Sequence, residues 1–165
     1  MEITSIKPFL AIMVSLFGSL IIIASYKRPN SREFWTFVIA FIKFGIVVSM
    51  IPAVLGGQNI VYDLVEVLPG VGISFRVDAF GLLFALVSSS LWIVTSVYSI
   101  GYMRSLKEHS QTRYYAFFAL ALSSAVGVAF SANLLTLYLF YEMLSLSTYS
   151  LVTHHQDPEA LSLIH

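Results

Sequence analysis

The run Asn133-Leu134-Leu135-Thr136-Leu137-Tyr138-Leu139-Phe140-Tyr141-Glu142-Met143-Leu144-Ser145-Leu146-Ser147-Thr148-Tyr149-Ser150-Leu151-Val152-Thr153 decides how the rest of the chain is read. It is long and apolar enough to cross a bilayer as a helix, since the hydrocarbon core takes about 20 such residues. Glu142 stands near its middle. A carboxylate at that depth costs roughly 3 kcal/mol on insertion scales, so it points to function and calls for a partner or a water path. At about 100° per residue, Tyr138, Ser145, Tyr149 and Thr153 share its face, which makes a hydroxyl-lined stripe toward the C-terminal end. Two readings follow: Glu142, Tyr138, Ser145 and Tyr149 belong to an ion path, or a protonated Glu142 serves as packing glue between helices.

The composition fits a membrane setting. Of 165 residues, 58% are hydrophobic and only 11% charged, with mean hydropathy +0.83. A soluble domain is about one-quarter charged, so the reading is an integral membrane protein with one membrane domain over residues 1–165. Zero net charge and a pI near 6.9 argue against nucleic acid as a partner. The chain has no cysteine, hence no disulfide, thiolate nucleophile or cysteine-ligated metal. Any redox cofactor therefore belongs to partner subunits.

Working outward from Glu142, a span over about 114–130 precedes it, with only Ser131 and Ala132 between. So short a link makes the two an antiparallel helical hairpin. Ala119, Ser123, Gly127 and Ser131 recur every four residues, a small-residue ridge that lets another helix approach closely. Further back, spans are read at about 79–98, 34–55 and 8–26, with Pro8 in an opening turn. The retained first span shows no cleavage signal. Lys43 lies within the second span, where snorkelling toward the basic side is favoured over a conducting role. Between the second and third spans, 56–78 alternates apolar and polar residues around Pro69-Gly70, which reads as a surface β-hairpin. Asp78 is placed to cap the next helix.

Positive charge orients the spans. Lys27, Arg28, Arg32, Arg104, Lys107 and Arg113 lie in the links after spans one and three, against Lys7 and Arg76 on the other side. The positive-inside rule then places the N-terminus and hairpin outside and the C-terminus in the cytoplasm of a multi-pass cell-membrane protein. Beyond span five, Asp157-Pro158-Glu159 is a strong helix-start signal, so a sixth helix is only begun. The expectation is a short surface helix, or a truncated or split version of a longer polypeptide. His154 and His155 form either a proton station at the inner mouth or an ordinary loop. Adjacent histidines diverge on a helix and make a poor metal pair, so no metal site is expected.

Val77-Asp78-Ala79-Phe80-Gly81-Leu82-Leu83-Phe84, Tyr98-Ser99-Ile100-Gly101-Tyr102-Met103 and Ser131 through Leu146 resemble segments of one family. They are similar to the antiporter-like, proton-translocating subunits of respiratory complex I, Mrp-type cation/proton antiporters and membrane-bound hydrogenases. The resemblance covers essentially the whole chain and the first five of that family's helices. It implies that Glu142 corresponds to a fifth-helix glutamate paired with a lysine on a later, broken helix. Positions for that lysine helix do not occur here, so the resemblance implies that another chain supplies it. Where the family commonly has Phe-Trp-Glu, this chain has Phe140-Tyr141-Glu142.

The resulting expectation is an all-α membrane subunit with about five transmembrane helices and one external hairpin. Its partners would be the lipid bilayer and other subunits of a respiratory or antiporter complex, which couples redox chemistry or ion exchange to proton or sodium translocation. A non-conducting scaffold subunit is the alternative. No nucleotide fingerprint or convincing nucleophilic triad occurs, so no catalytic site or cofactor is expected within the chain, although it could serve an oxidoreductase complex of NADH-dehydrogenase or hydrogenase type.

Overall fold

The computed structural model describes residues 1–106 and 111–152. It is mostly helical, with a small three-stranded sheet closing one end of the helix bundle. The helices begin and stop where local chemistry requires. Helix α1, Lys7–Ala24, carries Pro8 in its first turn, where the missing N–H costs nothing. Helix α2, Pro29–Ser49, starts on Pro29 after an extended Arg28. Pro52 then cannot continue the hydrogen-bond ladder, and the chain resets at Met50 into the short α3, Ile51–Leu55. Gly57, at φ +81°, turns it toward the sheet.

Strand β1 is Glu2–Thr4, β2 is Asn59–Leu68 and β3 is Val71–Val77. Strands β2 and β3 pair antiparallel about Pro69-Gly70, with Ile60 opposite Val77 and Tyr62 opposite Phe75. Gly70 has φ +79°, a conformation glycine adopts without penalty, and its amide donates to Glu66 Oε1 at 2.7 Å. The hairpin is therefore where the alternation predicts it. The third strand is an addition to the all-α reading. Strand β1 pairs in parallel with β2, Glu2 beside Asn59, and Glu2 reaches Arg76 at 3.3 Å. Three residues before a helix carry too little alternation to announce a strand.

Helices α4, Ala79–Leu106, α5, Gln111–Ala129, and α6, Leu134–Val152, complete the order. Asp78 caps α4, accepting the Gly81 amide at 2.7 Å. Two stretches read as polar links are helical: α2 takes in 29–33, and α4 continues through Arg104. Hydropathy ends where the apolar residues end, whereas a helix ends where its hydrogen bonding does.

Helix α5 packs between α1 and α6, and α2 lies against α1 and α4. Phe75, Val77, Ile12, Val47, Leu82 and Phe130 join the sheet to the bundle. A second cluster, with Ile22, Ile39, Trp92, Tyr115 and Ala119, fills the opposite half. Three segments are long and apolar enough to cross a membrane: α1, α2 with α3, and α4 up to Ser105. Their outer faces expose Phe17, Phe41, Leu83, Leu91 and Val94, a surface suited to lipid.

Candidate functional site

Lys43 is fully buried. It sits on the inner face of α2 with Arg32, Thr36, Ile39, Ala40 and Val47, and thus points into the bundle. Its ammonium donates to Ser15 Oγ of α1 at 2.8 Å and to the Leu122 carbonyl of α5 at 3.4 Å. The Trp92 ring of α4 lies 5.8 Å from Nζ, so four helices converge on this one group. The snorkelling expectation fails for a physical reason. Helix rotation aims the side chain inward, and acceptors within reach hold it there. Among the described residues, no carboxylate pairs with it. Nearby, the buried Ser89 hydroxyl, one turn from Trp92, has no hydrogen-bond partner among the described residues.

Glu142 lies elsewhere. The inner face of α6 is marked by buried Thr136 and Ser147, packed toward α5 and β3, and Glu142 is exposed on the far side. Tyr138 and Tyr149 are 61% and 54% exposed beside it. No described residue forms an ion pair or hydrogen bond with its carboxylate. Lys43 and Glu142 are therefore not brought together. The serine in the stripe is turned into its own helix: Ser145 Oγ donates to the Tyr141 carbonyl at 3.1 Å. His154 and His155 lie outside the described residues, as does the helix start at 157–159.

The small-residue ridge occupies the α1–α5–α6 junction. Ala119 and Ser123 are fully buried, and Ser123 Oγ donates to the Ile12 carbonyl at 2.9 Å. The Phe140 ring lies directly over Gly127, leaving no room for a Cβ. Ser131 donates back to the Gly127 carbonyl at 2.7 Å.

Two polar clusters are absent from the sequence reading. At the end away from the sheet, Arg32 donates to Thr112 Oγ1 at 2.9 Å and to Gln111 Oε1 at 2.7 Å. There Arg104 also pairs with the buried Glu33 and reaches Asn30 at 3.1 Å. The two basic links thus meet across the bundle. At the sheet end, Asn133 Nδ2 donates to the Gly72 carbonyl at 2.6 Å and to Ser74 Oγ at 3.0 Å. Its Oδ1 meanwhile accepts the Thr136 amide at 2.9 Å and caps α6. A residue of cap type before an apolar run was the signal for the cap; its grip on the hairpin had none. No group of three metal-ligating side chains occurs among the described residues.

No family model matches the chain. The A1 component of the Na+/H+ antiporter of Staphylococcus aureus is 28% identical over 155 residues, which is 92% of this chain and 19% of that protein. In sequence, the chain is thus similar to this antiporter component. It spans about one-fifth of the length of the curated relatives it matches. The fold agrees with two solved membrane assemblies. In the archaeal membrane-bound sulfane sulfur reductase, a respiratory membrane complex, one chain matches with a TM-score of 0.83 at 19% identity. The match covers 96% of this chain and 32% of that one. In the Mrp complex of a Dietzia species the TM-score is 0.75 at 20% identity, over 90% of this chain and 28% of the other. This chain shares the fold of those two matched chains.

Proposed function

We propose that this chain acts within a multi-subunit membrane complex of the cation/proton antiporter type, with Glu142 facing an ion path completed by another polypeptide segment. The observation that carries the reading is the carboxylate on the exposed face of α6. In an apolar medium such a group needs a cationic or hydrogen-bonding neighbour, and none of the described residues supplies one. A lysine-bearing helix laid against Tyr138, Glu142 and Tyr149 would meet that need, in keeping with the similarity to the A1 antiporter component.

All five long helices cross the bilayer in this reading. At 1.5 Å per residue, the 19 residues of α5 and of α6 reach about 28 Å, close to the hydrocarbon thickness. The end bearing Lys27, Arg28 and Arg113 faces the cytoplasm by the positive-inside rule, and the sheet faces out with the N-terminus. Lys43 is a second candidate station: buried and with no carboxylate partner among the described residues, it changes the local potential if it gains or loses a proton.

The test is Glu142→Gln in the assembled complex, followed by cation-dependent proton flux in inverted membrane vesicles. Loss of coupled flux with unchanged complex composition is the expected result. Unchanged flux in the assembled variant removes Glu142 from the path. The second reading, a non-conducting scaffold, draws on the back-bonded Ser145 and the closely filled ridge at Gly127. It predicts normal flux in that variant and loss of assembly when Gly127 is enlarged.

A further inference from the structure

Among the open grooves along the outside of the bundle, two at the α1 side differ in one respect. The groove between α1 and α2, lined by Phe9, Met13, Phe17, Ile21, Trp35 and Ile42 among others, has no charged residue in its wall. It can take an acyl chain but cannot choose a headgroup. The groove between the end of α1 and the start of α5 is lined by Ile23, Tyr26, Thr112, Arg113, Ala116 and Phe117. Apolar side chains form its floor, and a guanidinium stands at its rim.

Among the described residues, basic side chains outnumber acidic ones around this second groove. Among the described residues, this end of the bundle holds Lys27, Arg28, Arg32, Arg104 and Arg113 against the single carboxylate of Glu33. Arg104 already holds Glu33, and Arg32 is turned inward to Thr112 and Gln111 with its guanidinium 5.4 Å from the Tyr115 ring centre. That leaves Arg113 at the groove, with Lys27 and Arg28 exposed one and two residues beyond Tyr26. Arg113 lies over the Phe117 ring at 5.9 Å, which sets the charge directly above the apolar floor. A ligand that satisfies both parts is an amphiphile with an anionic head.

We propose that this groove binds one anionic phospholipid, its phosphate held by Arg113 with Lys27 and Arg28, and one acyl chain lying along Ile23, Ala116 and Phe117. The inference needs only the membrane location, so it stands apart from the ion-path reading. The lipid fixes the junction of α1 and α5, beside the Arg32–Thr112 contact that ties α2 to α5.

The experiment is native mass spectrometry of the protein, as isolated in mild detergent with its partners, in mixed micelles holding phosphatidylglycerol and phosphatidylethanolamine of identical chains. Preferential retention of one phosphatidylglycerol is expected. Arg113→Gln should cut that preference about five-fold, and adding Lys27→Gln should cut it about five-fold again. Arg113→Lys should keep most of it, and Lys7→Gln at the sheet end should leave it unchanged. Because all these side chains are partly or fully exposed, a matching thermal unfolding curve shows that the variants fold. Equal retention of the two lipids overturns the proposal, as does an unaltered preference in Arg113→Gln. Equal retention of a short-chain phosphatidylglycerol, displacement by inorganic phosphate, or an acidic protein segment held there in place of lipid overturns it too.

Discussion

Lys43 Nζ lies 2.8 Å from Ser15 Oγ, both fully buried, and the same hydroxyl donates to the Ile12 carbonyl at 3.2 Å. Ser15 is thus a relay between an ammonium and the α1 backbone. Replacing Ser15 with Ala leaves the ammonium with the longer Leu122 contact and the Trp92 ring. Loss of a buried partner of a charged donor costs about 1–3 kcal/mol. Thermal unfolding in detergent should show Ser15→Ala clearly destabilised. Lys43→Met, of similar volume and without charge, should remove most of that penalty in the double variant. If the double variant is no more stable than Ser15→Ala, the ammonium is not what Ser15 serves.

Arg104 and Glu33 are unequal partners, because the carboxylate is buried and the guanidinium is half exposed. Removing the arginine strands a charge inside the protein, whereas removing both leaves neither. Arg104→Gln should therefore lower the unfolding temperature more than the Arg104→Gln, Glu33→Gln pair does. Asn30, which also contacts Arg104, should contribute little when changed to Ala. The ordering of the three variants in one unfolding series checks the claim.

How much of this was legible follows from what each feature needs. The five long helices, the hairpin turn and the Asp78 cap each declare themselves locally, through an apolar run, a Pro-Gly pair or an acidic residue before a helix. Lys43 shows the limit. Its position in an apolar run was visible, but its direction depends on the rotation of α2 against α1, α4 and α5, which no single segment encodes. The same holds for Glu142, whose outward face is set by α6 packing toward Thr136 and Ser147. Arg32 and Thr112, 80 residues apart, meet only because two links lie at the same end of the bundle.

Asn133 joins α6 to the hairpin with both ends of its amide. Asn133→Ala loses the cap and the two bonds to Gly72 and Ser74, at about 1–2 kcal/mol for the cap alone. Asn133→Ser can keep the cap and loses most of the tether, so it should fall between wild type and Ala. Limited proteolysis separates the two roles. Cleavage in the β2–β3 hairpin should rise in both variants, and the unfolding temperature should fall further in Ala.

Gly127 sets the spacing of α5 and α6 through the Phe140 ring, which stands where a Cβ would be. Gly127→Ala forces the ring or the helix to move, and such overpacking costs about 1–3 kcal/mol. Gly45 and Gly101 provide the controls, since a Cβ at either meets nothing within 4 Å. Both sit in helices, where Ala is favoured over Gly by roughly 0.5–1 kcal/mol, so Gly45→Ala and Gly101→Ala should be neutral or stabilising. Phe140→Leu should recover part of the Gly127→Ala loss by clearing the ring, while costing stability in the wild-type background because Phe140 also packs 5.7 Å from Phe75. A thermal unfolding series of the three alanine variants and the Gly127→Ala, Phe140→Leu pair checks each step. Gly127→Ala as stable as Gly101→Ala would mean that α5 and α6 can separate freely, and the ridge would then have no part in holding them together.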